Sequence, residues 1–137
     1  MHQRSINRLI YTLNAAKALK VKSIKVPMNR ISYILLDILE RLGVIRSFSP
    51  LAFSVKDKDK ILVRFKFKYL DENVFSKIVI ISKETRRVYL SFIKLLKFKE
   101  KHFGCILIIS TRSGIFTDYE CIRRKQGGEV LLKVIVL

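Results

Sequence analysis

The chain has 137 residues, half of them hydrophobic, so it can bury the core of one domain or of two small lobes and is not a disordered tail. Lysine and arginine number 28 against 11 acidic residues, and the net charge of +17 exceeds what solubility requires, which indicates a polyanionic partner. A membrane is disfavoured as this partner, because the longest apolar helical segment, residues 31–42, is too short to span a bilayer and carries charged residues. Nucleic acid fits better.

The first predicted element is an amphipathic helix near the start of the chain. Its apolar residues recur at i, i+3, i+4 and i+7, namely Ile6, Leu9, Ile10 and Leu13. Its other faces carry several cations, which predicts a basic outer surface. Residues 20–25 are interpreted as a basic linker.

A second helix is predicted between Asn29 and Gly43. Pro27 sets an extended entry, Asn29 is a suitable N-cap, and Gly43 suits the left-handed position after the helix end. The apolar stripe predicted to face the core consists of Ile31, Ile34, Leu35, Ile38 and Leu42.

Three short strands are predicted next, at residues 44–48, 51–55 and 60–69. In the third, apolar residues alternate with basic ones, which is typical of a half-buried strand with a basic outer face. The alternating apolar positions are Ile61, Val63, Phe65, Phe67 and Tyr69. The acidic break at residues 71–73 predicts a boundary between an N-terminal α/β domain, 1–72, and a C-terminal domain, 73–137.

The second lobe is predicted to be a mixed β lobe with short helices. We expect an apolar strand at 78–81, a short strand around Val88, a helix at 91–98 and a buried strand at 105–109. Thr117 and Glu120 form a capping-box pair for a short helix ending near residue 125, and a terminal strand is predicted at 130–136. The fold class is therefore α+β, with a helix-helix-three-strand lobe first.

The segment from Ile108 to Asp118 reads as a strand, a turn and a helix, and its turn is a candidate binding site. Ser110, Thr111, Arg112 and Ser113 present short hydroxyls and a cation from a strand end, and Gly114 permits close backbone approach. Such hydroxyls reach a ribose 2′-OH, a phosphate oxygen or a base edge in the minor groove of RNA. The same composition also fits a plain polar hairpin turn.

At these residues the sequence resembles the universal small-subunit ribosomal protein eight family. The shared pattern is an apolar doublet, S-T-x-x-G, two apolar residues and T-D, followed by G-G-E and a terminal strand; here G-G-E is Gly127, Gly128 and Glu129. An R-[IV]-Y element matches residues 87–89. Leu13-Asn14, Pro27 and Gly43-Val44-Ile45 match the upstream pattern, so the resemblance spans essentially the whole chain.

The resemblance implies a two-domain structural protein of the small ribosomal subunit that binds the central domain of its ribosomal RNA, chiefly through the C-terminal domain, and helps assembly beside neighbouring ribosomal proteins. It places the hydroxyl cluster, the R-[IV]-Y aromatic and the G-G-E glutamate at the RNA surface, and further contacts on the N-terminal lobe. The RNA-binding residues implied are Tyr89, Ser110, Thr111, Gly114, Gly127, Gly128 and Glu129, with Arg8, Asn14 and Arg30 on the N-terminal lobe.

Two departures from the family pattern affect this surface. Arg112 stands where a serine is usual and is expected to bind a phosphate, with Ser113 partly replacing the lost hydroxyl. Lys83-Glu84-Thr85 replaces a K-P-G turn. The residues alone leave structural alternatives open. Glu129 could merely begin a strand or pair with Arg123 or Arg124, and Tyr89 could be an ordinary strand aromatic.

Basic residues outside the motifs are expected to make at most sequence-independent phosphate contacts. They are Lys17, Lys20, Lys22, Lys25, Arg64, Lys66 and Lys68. Such runs are also typical of solvated faces, and this alternative stays open.

Other functions are disfavoured by what the chain lacks. Cys105 and Cys121 form no CxxC and only two histidines, His2 and His102, are present, so no zinc site, disulfide or cofactor is expected and both cysteines are predicted core residues. No catalytic constellation or phosphate-cradling glycine loop stands out, so no enzyme with a small-molecule substrate is expected. A free regulatory RNA-binding protein is the alternative.

The amino-acid composition suggests in which cellular compartment the protein is made. Heavy use of Ile, Lys and Phe with five glycines indicates an A+T-biased genome. Together with the departures from bacterial patterns, this favours an organelle-encoded, mitochondrial protein over a plastid or bacterial one. No apolar signal segment precedes a small-residue cleavage site, so secretion is not expected.

Overall fold

The computed structural model describes residues 2–51, 60–65, 75–102 and 104–136. It separates into two compact units, Met1–Val74 and Phe75–Leu137, called the N-terminal and C-terminal units below. Helices and antiparallel sheets occur in both, which confirms the α+β class. The predicted boundary at 71–73 lies outside the described residues, as do most of the predicted strand 51–55 and Lys66, Phe67, Lys68 and Tyr69.

The first helix, α1 (His2–Ala18), has the predicted core stripe. Ile6, Leu9, Ile10 and Leu13 are all buried, together with Ala16 one turn further on. The i, i+3, i+4, i+7 pattern is therefore sufficient to identify the buried face of this helix.

The second helix, α2 (Arg30–Arg41), has the predicted ends. Asn29 is the N-cap, its Oδ1 accepting a hydrogen bond from the backbone N–H of Ser32 at 2.8 Å, and Gly43 has φ +79 just after the C-cap Leu42. The predicted stripe is only partly right. Leu35 and Ile38 are buried as predicted, but so are Leu36 and Leu39, whereas Ile31, Ile34 and Leu42 are half-buried. The helix contacts both α1 and a sheet, so its buried face is wider and rotated.

The sheet of the N-terminal unit contains, among the described residues, β1 (Ser23–Pro27), β2 (Ile45–Pro50) and β3 (Lys60–Phe65), in the antiparallel order β1-β3-β2. The prediction that residues 20–25 form a linker is wrong for residues 23–25, because Ser23–Pro27 pairs along β3; residues 20–22 lie outside any helix or strand. The lysine that suggested a linker, Lys25, lies exposed, and the next residue, Val26, is buried. Leu51 is described and lies outside any strand.

The C-terminal unit consists of β4 (Phe75–Ile80), β5 (Tyr89–Leu90), α3 (Phe92–Lys101), β6 (Cys105–Thr111), β7 (Gly114–Thr117), α4 (Asp118–Arg123) and β8 (Gly128–Val136). Each predicted element is present, with shifted ends. The prediction of a direct turn from strand to helix after Ser110 is wrong, because β7 intervenes and pairs with β6 as a hairpin.

The long strand β8 organises this unit. It pairs with β6 on one side and with β4 and then β5 on the other. Leu95 of α3 and Cys121 of α4 pack with Leu107, Ile109 and Val130 in one core cluster. Both cysteines are buried free thiols, as expected of core residues. No helix in the described part of the chain is both long enough and apolar enough to cross a bilayer.

Candidate nucleic-acid interface

Three of the predicted RNA-binding residues form a row across adjacent strands of the C-terminal sheet. Tyr89 on β5 lies opposite Glu129 on β8, and Glu129 lies opposite Ser110 on β6. Residues directly opposite in antiparallel strands project from the same face of the sheet. We call Tyr89, Glu129 and Ser110 the polar row. Tyr89 is 65% exposed, and Ser110 and Glu129 are half-buried, so the row reaches the protein surface.

Gly127 and Gly128 allow the strands of the polar row to approach closely. A Cβ atom at Gly128 would overlap the carbonyl oxygen of Ser110 and lie 3.2 Å from a methyl of Ile109. A Cβ at Gly127 would overlap the carbonyl oxygen of Leu90 and lie 2.8 Å from Ser91 Cα. Both glycines are therefore required for space.

The hairpin between β6 and β7 continues the row on one side. Thr111 Oγ1 donates a hydrogen bond to the carbonyl of Gly114 at 2.9 Å and accepts one from the backbone N–H of Ser113 at 3.2 Å. Arg112 and Ser113 are exposed at the tip, and Gly114 has φ +134. The Thr111 hydroxyl thus closes the turn, and its proton is already engaged within the protein.

Three groups of this surface able to bind a ligand are the Ser110 hydroxyl, Arg112 and Tyr89. Within the described residues, the hydroxyl of Ser110 has no hydrogen-bond partner and Arg112 has no ion-pair partner, and the side chain of Tyr89 is 65% exposed. Hydroxyl, guanidinium and aromatic ring together suit ribose, phosphate and base in turn.

Gln126 belongs to the same surface, although no sequence pattern singled it out. Its Nε2 donates to Ser113 Oγ at 3.2 Å, and its Oε1 is buried without a partner among the described residues. The sequence signal that could have indicated a role for Gln126 in this surface is its position directly before Gly127 and Gly128. A buried unpaired amide oxygen beside a ligand surface is an acceptor awaiting a donor.

Glu129 forms an ion pair that the sequence did not reveal. Its Oε1 accepts a hydrogen bond from Arg87 Nη1 at 2.9 Å, and its side chain is only 17% exposed. The alternative pairing with Arg123 or Arg124 is therefore wrong, since the β5–β8 pairing places residues 87–89 beside this carboxylate. Arg87 fixes the carboxylate and leaves its other oxygen available.

A buried serine holds β5 against β8. Ser82, fully buried, donates its hydroxyl to the carbonyl of Val130 at 2.6 Å and accepts the N–H of Val88 at 3.0 Å. The turn between Ser82 and Val88 closes through two backbone hydrogen bonds between Lys83 and Arg86. The segment at residues 83–85, where the family has K-P-G, therefore still forms a turn.

The aspartate of the T-D pattern has a structural role in the C-terminal unit. Thr117 is the N-cap of α4, accepting from the backbone N–H of Glu120, as predicted. Asp118 is fully buried, accepts the N–H of Leu107 at 3.2 Å and pairs with Lys99 Nζ at 3.0 Å. This pair ties α3 to α4 and β6.

Two titrating groups in this region are perturbed. Burial by itself would lower the pKa of Lys99, but its hydrogen bond and charge interaction with Asp118, with a smaller contribution from Tyr119, outweigh burial and raise it. Burial, then the nearby charges of Asp118 and Glu120, raises the pKa of the Cys121 thiol to about 11. This thiol is therefore protonated at neutral pH and is a poor nucleophile.

The remaining predicted contacts, Arg8, Asn14 and Arg30, lie in the N-terminal unit and are not part of the polar row. Arg8 is exposed on α1 and, with Arg4 and Asn29, lines a pocket of about 130 Å³. Arg30 is exposed at the first position of α2, and Asn14 is half-buried. Among the described residues, no group of three His, Cys, Asp or Glu side chains comes together as a metal site.

Known proteins match this chain along most of its length. The family model described as "Ribosomal protein S8" matches residues 5–135. "Small ribosomal subunit protein uS8m" of Acanthamoeba castellanii is 39% identical over 99 residues, covering 72% of this chain and 73% of that protein. "Small ribosomal subunit protein uS8" of Mycoplasmoides gallisepticum is 34% identical over 137 residues, covering 98% and 99% respectively. The protein of that name from Mesorhizobium japonicum is 34% identical over 116 residues, 84% of each chain.

These relatives are all named as proteins of the small ribosomal subunit. The α+β fold and the basic composition of this chain fit that class of protein. The chain belongs to the ribosomal protein S8 family. The resemblance found in the sequence is thereby confirmed.

Proposed function

We propose that this protein is a structural component of the small ribosomal subunit, acting in translation by binding the central domain of the small-subunit ribosomal RNA and helping it assemble with neighbouring ribosomal proteins. The polar row is the observation that supports this best. It presents an unpaired hydroxyl, an exposed tyrosine and a fixed carboxylate from rigid strands of a protein with a net charge of +17. The names of the protein's relatives agree with a role in the small ribosomal subunit.

Each group of the surface has a distinct task in this proposal. Ser110 exchanges hydrogen bonds with a ribose 2′-OH or a base edge, and Arg112 binds a phosphate through its planar guanidinium. Tyr89 stacks on a base or ribose, which contributes on the order of 1–3 kcal/mol. Gly127 and Gly128 shape the surface, and Ser113, Thr111 and Gly114 form its rim.

Glu129 gives the sharpest test, because general electrostatics and specific recognition predict opposite results. Neutralising Glu129 removes a repulsion from phosphates and also frees the charge of Arg87, so electrostatics alone predicts tighter binding. If Glu129 accepts hydrogen bonds from RNA amino or 2′-OH groups, its loss weakens binding by about 1.5–3 kcal/mol, which is roughly tenfold or more. We expect the second result.

The experiment measures binding of Glu129→Gln and Ser110→Ala to a transcript of the central domain across a salt series. We expect both to lose affinity with little change in the salt slope, because neither removes a phosphate contact. Glu40→Gln is the matched control, since it removes the same charge from an exposed position of α2. Tighter binding of Glu129→Gln, or equal behaviour of both glutamate variants, would overturn the proposed recognition.

Two further observations test the biological setting. Co-sedimentation with small ribosomal subunits is expected, whereas a purely free pool would favour the regulatory RNA-binding protein. We also propose that the protein is mitochondrial and organelle-encoded, based on its Ile, Lys and Phe content and on the relative named uS8m. Finding its gene in a free-living bacterial chromosome would refute that origin.

A further inference from the structure

The N-terminal unit contains a basic pocket that joins Lys22 and Arg64, two cations expected from the sequence to contact phosphate, with Arg46, which no sequence pattern indicated. Lys22, Ser23, Arg46, Arg64 and Phe65 line a space of about 220 Å³ at one end of the three-stranded sheet. We call it the cation pocket because three cationic side chains line it. It lies in the unit that does not contain the polar row.

Backbone pairing brings two of the cations together from distant parts of the sequence. Arg64 projects from β3, the central strand, opposite Ser23 of β1. The N–H of Phe65 donates a hydrogen bond to the carbonyl of Lys22 at 3.0 Å, which fixes Lys22 beside the end of β3. The first two cations are therefore held by the ladder between β1 and β3.

A β-bulge supplies the third cation. Ile45 lies opposite Phe65, but Ser47 rather than Arg46 lies opposite Arg64, so Arg46 is the extra residue of the bulge. Bulges re-aim side chains and often occur beside functional sites. The irregularity thus adds Arg46 to the same end of the sheet as Arg64.

The charge of the pocket is unbalanced within the protein. Lys22, Arg46 and Arg64 are all exposed, and in the described ranges none of them pairs with a carboxylate. Arg64 makes one weak contact, from Nη1 to Ser47 Oγ at 3.5 Å. Most guanidinium donors therefore remain available, and three like charges grouped together repel one another unless an anion joins them.

We propose that the cation pocket binds one phosphate group of the RNA backbone, as a second, sequence-independent contact apart from the polar row. A tetrahedral phosphate offers several acceptor oxygens to two guanidinium groups and one ammonium. This inference rests on the proposed function only in that RNA is the partner. Free phosphate presents the same chemistry, and the two sources are separated experimentally.

The test compares Arg46→Gln, Arg64→Gln and the double variant in binding to the central-domain transcript across a salt series. One phosphate contact contributes about 0.7–0.9 to the slope of log Kobs against log salt. Because both arginines bind the same phosphate and Lys22 remains beside it, the double variant is expected to lower the slope by up to one such step, with each single variant lowering it by less. Arg41→Gln is the matched control, because Arg41 is already paired with Asp37 at 3.4 Å.

Two outcomes would overturn the proposed binding of one phosphate in the cation pocket while leaving the proposed function intact. A slope unchanged relative to Arg41→Gln means that no phosphate binds there, and a double variant that lowers the slope by two full steps means two independent contacts. Thermal melting of each variant verifies folding. Failure of the unaltered chain to bind the transcript would instead overturn the proposed function, and the pocket's RNA contact with it.

Inorganic phosphate supplies the last comparison. Titration without RNA, followed by the backbone amide NMR signals of Ser23 and Phe65, which every variant retains, is expected to show weak binding that the double variant loses. Phosphate binding combined with an unchanged RNA salt slope would identify a free-anion site and refute an RNA contact.

Discussion

Replacing Gly128 by alanine tests whether close strand packing positions the polar row. The added methyl would overlap the carbonyl oxygen of Ser110 and lie 3.0 Å from its carbonyl carbon, and backbone atoms cannot yield as a flexible side chain can. Strands β6 and β8 must therefore separate where Ser110 pairs with Glu129. Overpacking costs about 1–3 kcal/mol and one lost backbone hydrogen bond costs roughly 1 kcal/mol, so we expect a destabilisation of about 2–4 kcal/mol.

Urea unfolding followed by circular dichroism measures this destabilisation, and RNA titration measures its effect on binding. Gly104→Ala is the control, since Gly104 has φ +80 and its added methyl would meet no atom within 4 Å, so it suffers backbone strain of about 1–2 kcal/mol without affecting the polar row. We expect Gly128→Ala to weaken RNA binding at least as much as Ser110→Ala, and Gly104→Ala to leave it unchanged. Unaltered unfolding and affinity for Gly128→Ala would refute the reasoning.

Three further predictions concern the support of this surface. Asp118→Asn removes the partner of the largely buried Lys99 and should destabilise the protein by about 3 kcal/mol or more in urea unfolding. Ser82→Ala should cost about 1–3 kcal/mol and speed amide exchange around Tyr89, because the buried hydroxyl that joins Val88 to Val130 is lost and only the backbone pairing of β5 with β8 remains. Because folding raises the pKa of Cys121 from 9.0 to about 11, the protonated thiol stabilises the fold below pH 9, and this contribution disappears as pH rises towards 11; Cys121→Ala should reduce that loss.

Much of the fold follows from local signals in the sequence. Asn29 and Thr117 are caps because a short acceptor precedes a periodic segment, and Gly43 follows a helix end because its backbone tolerates positive φ. The core stripe of α1 is equally local, since a spacing of three and four residues defines one face. These features depend on neighbours within a few residues, which the sequence displays directly.

Features that depend on strand pairing do not follow from local signals in the sequence. The first three residues of β1, 23–25, fall within the predicted basic linker, because an exposed lysine carries the same signal in a loop and on the outer face of a strand. The four residues of β7 lie between a turn and a helix N-cap, and this segment is too short to show a strand pattern of its own. Short strands are stabilised by their partners: β1 pairs with β3, which is distant in sequence, and β7 pairs with β6 across a tight turn.

The sequence by itself determined a basic α+β protein, its family, and the segments that carry the candidate RNA surface. Only the tertiary structure decided how they combine: Tyr89, Glu129 and Ser110 become neighbours through register, and the bulge at Arg46 completes a cluster with Arg64. Residue type and spacing reveal what one segment can do alone. Contacts between segments depend on which strands pair and in which register, and that choice is made by the packing of the whole unit.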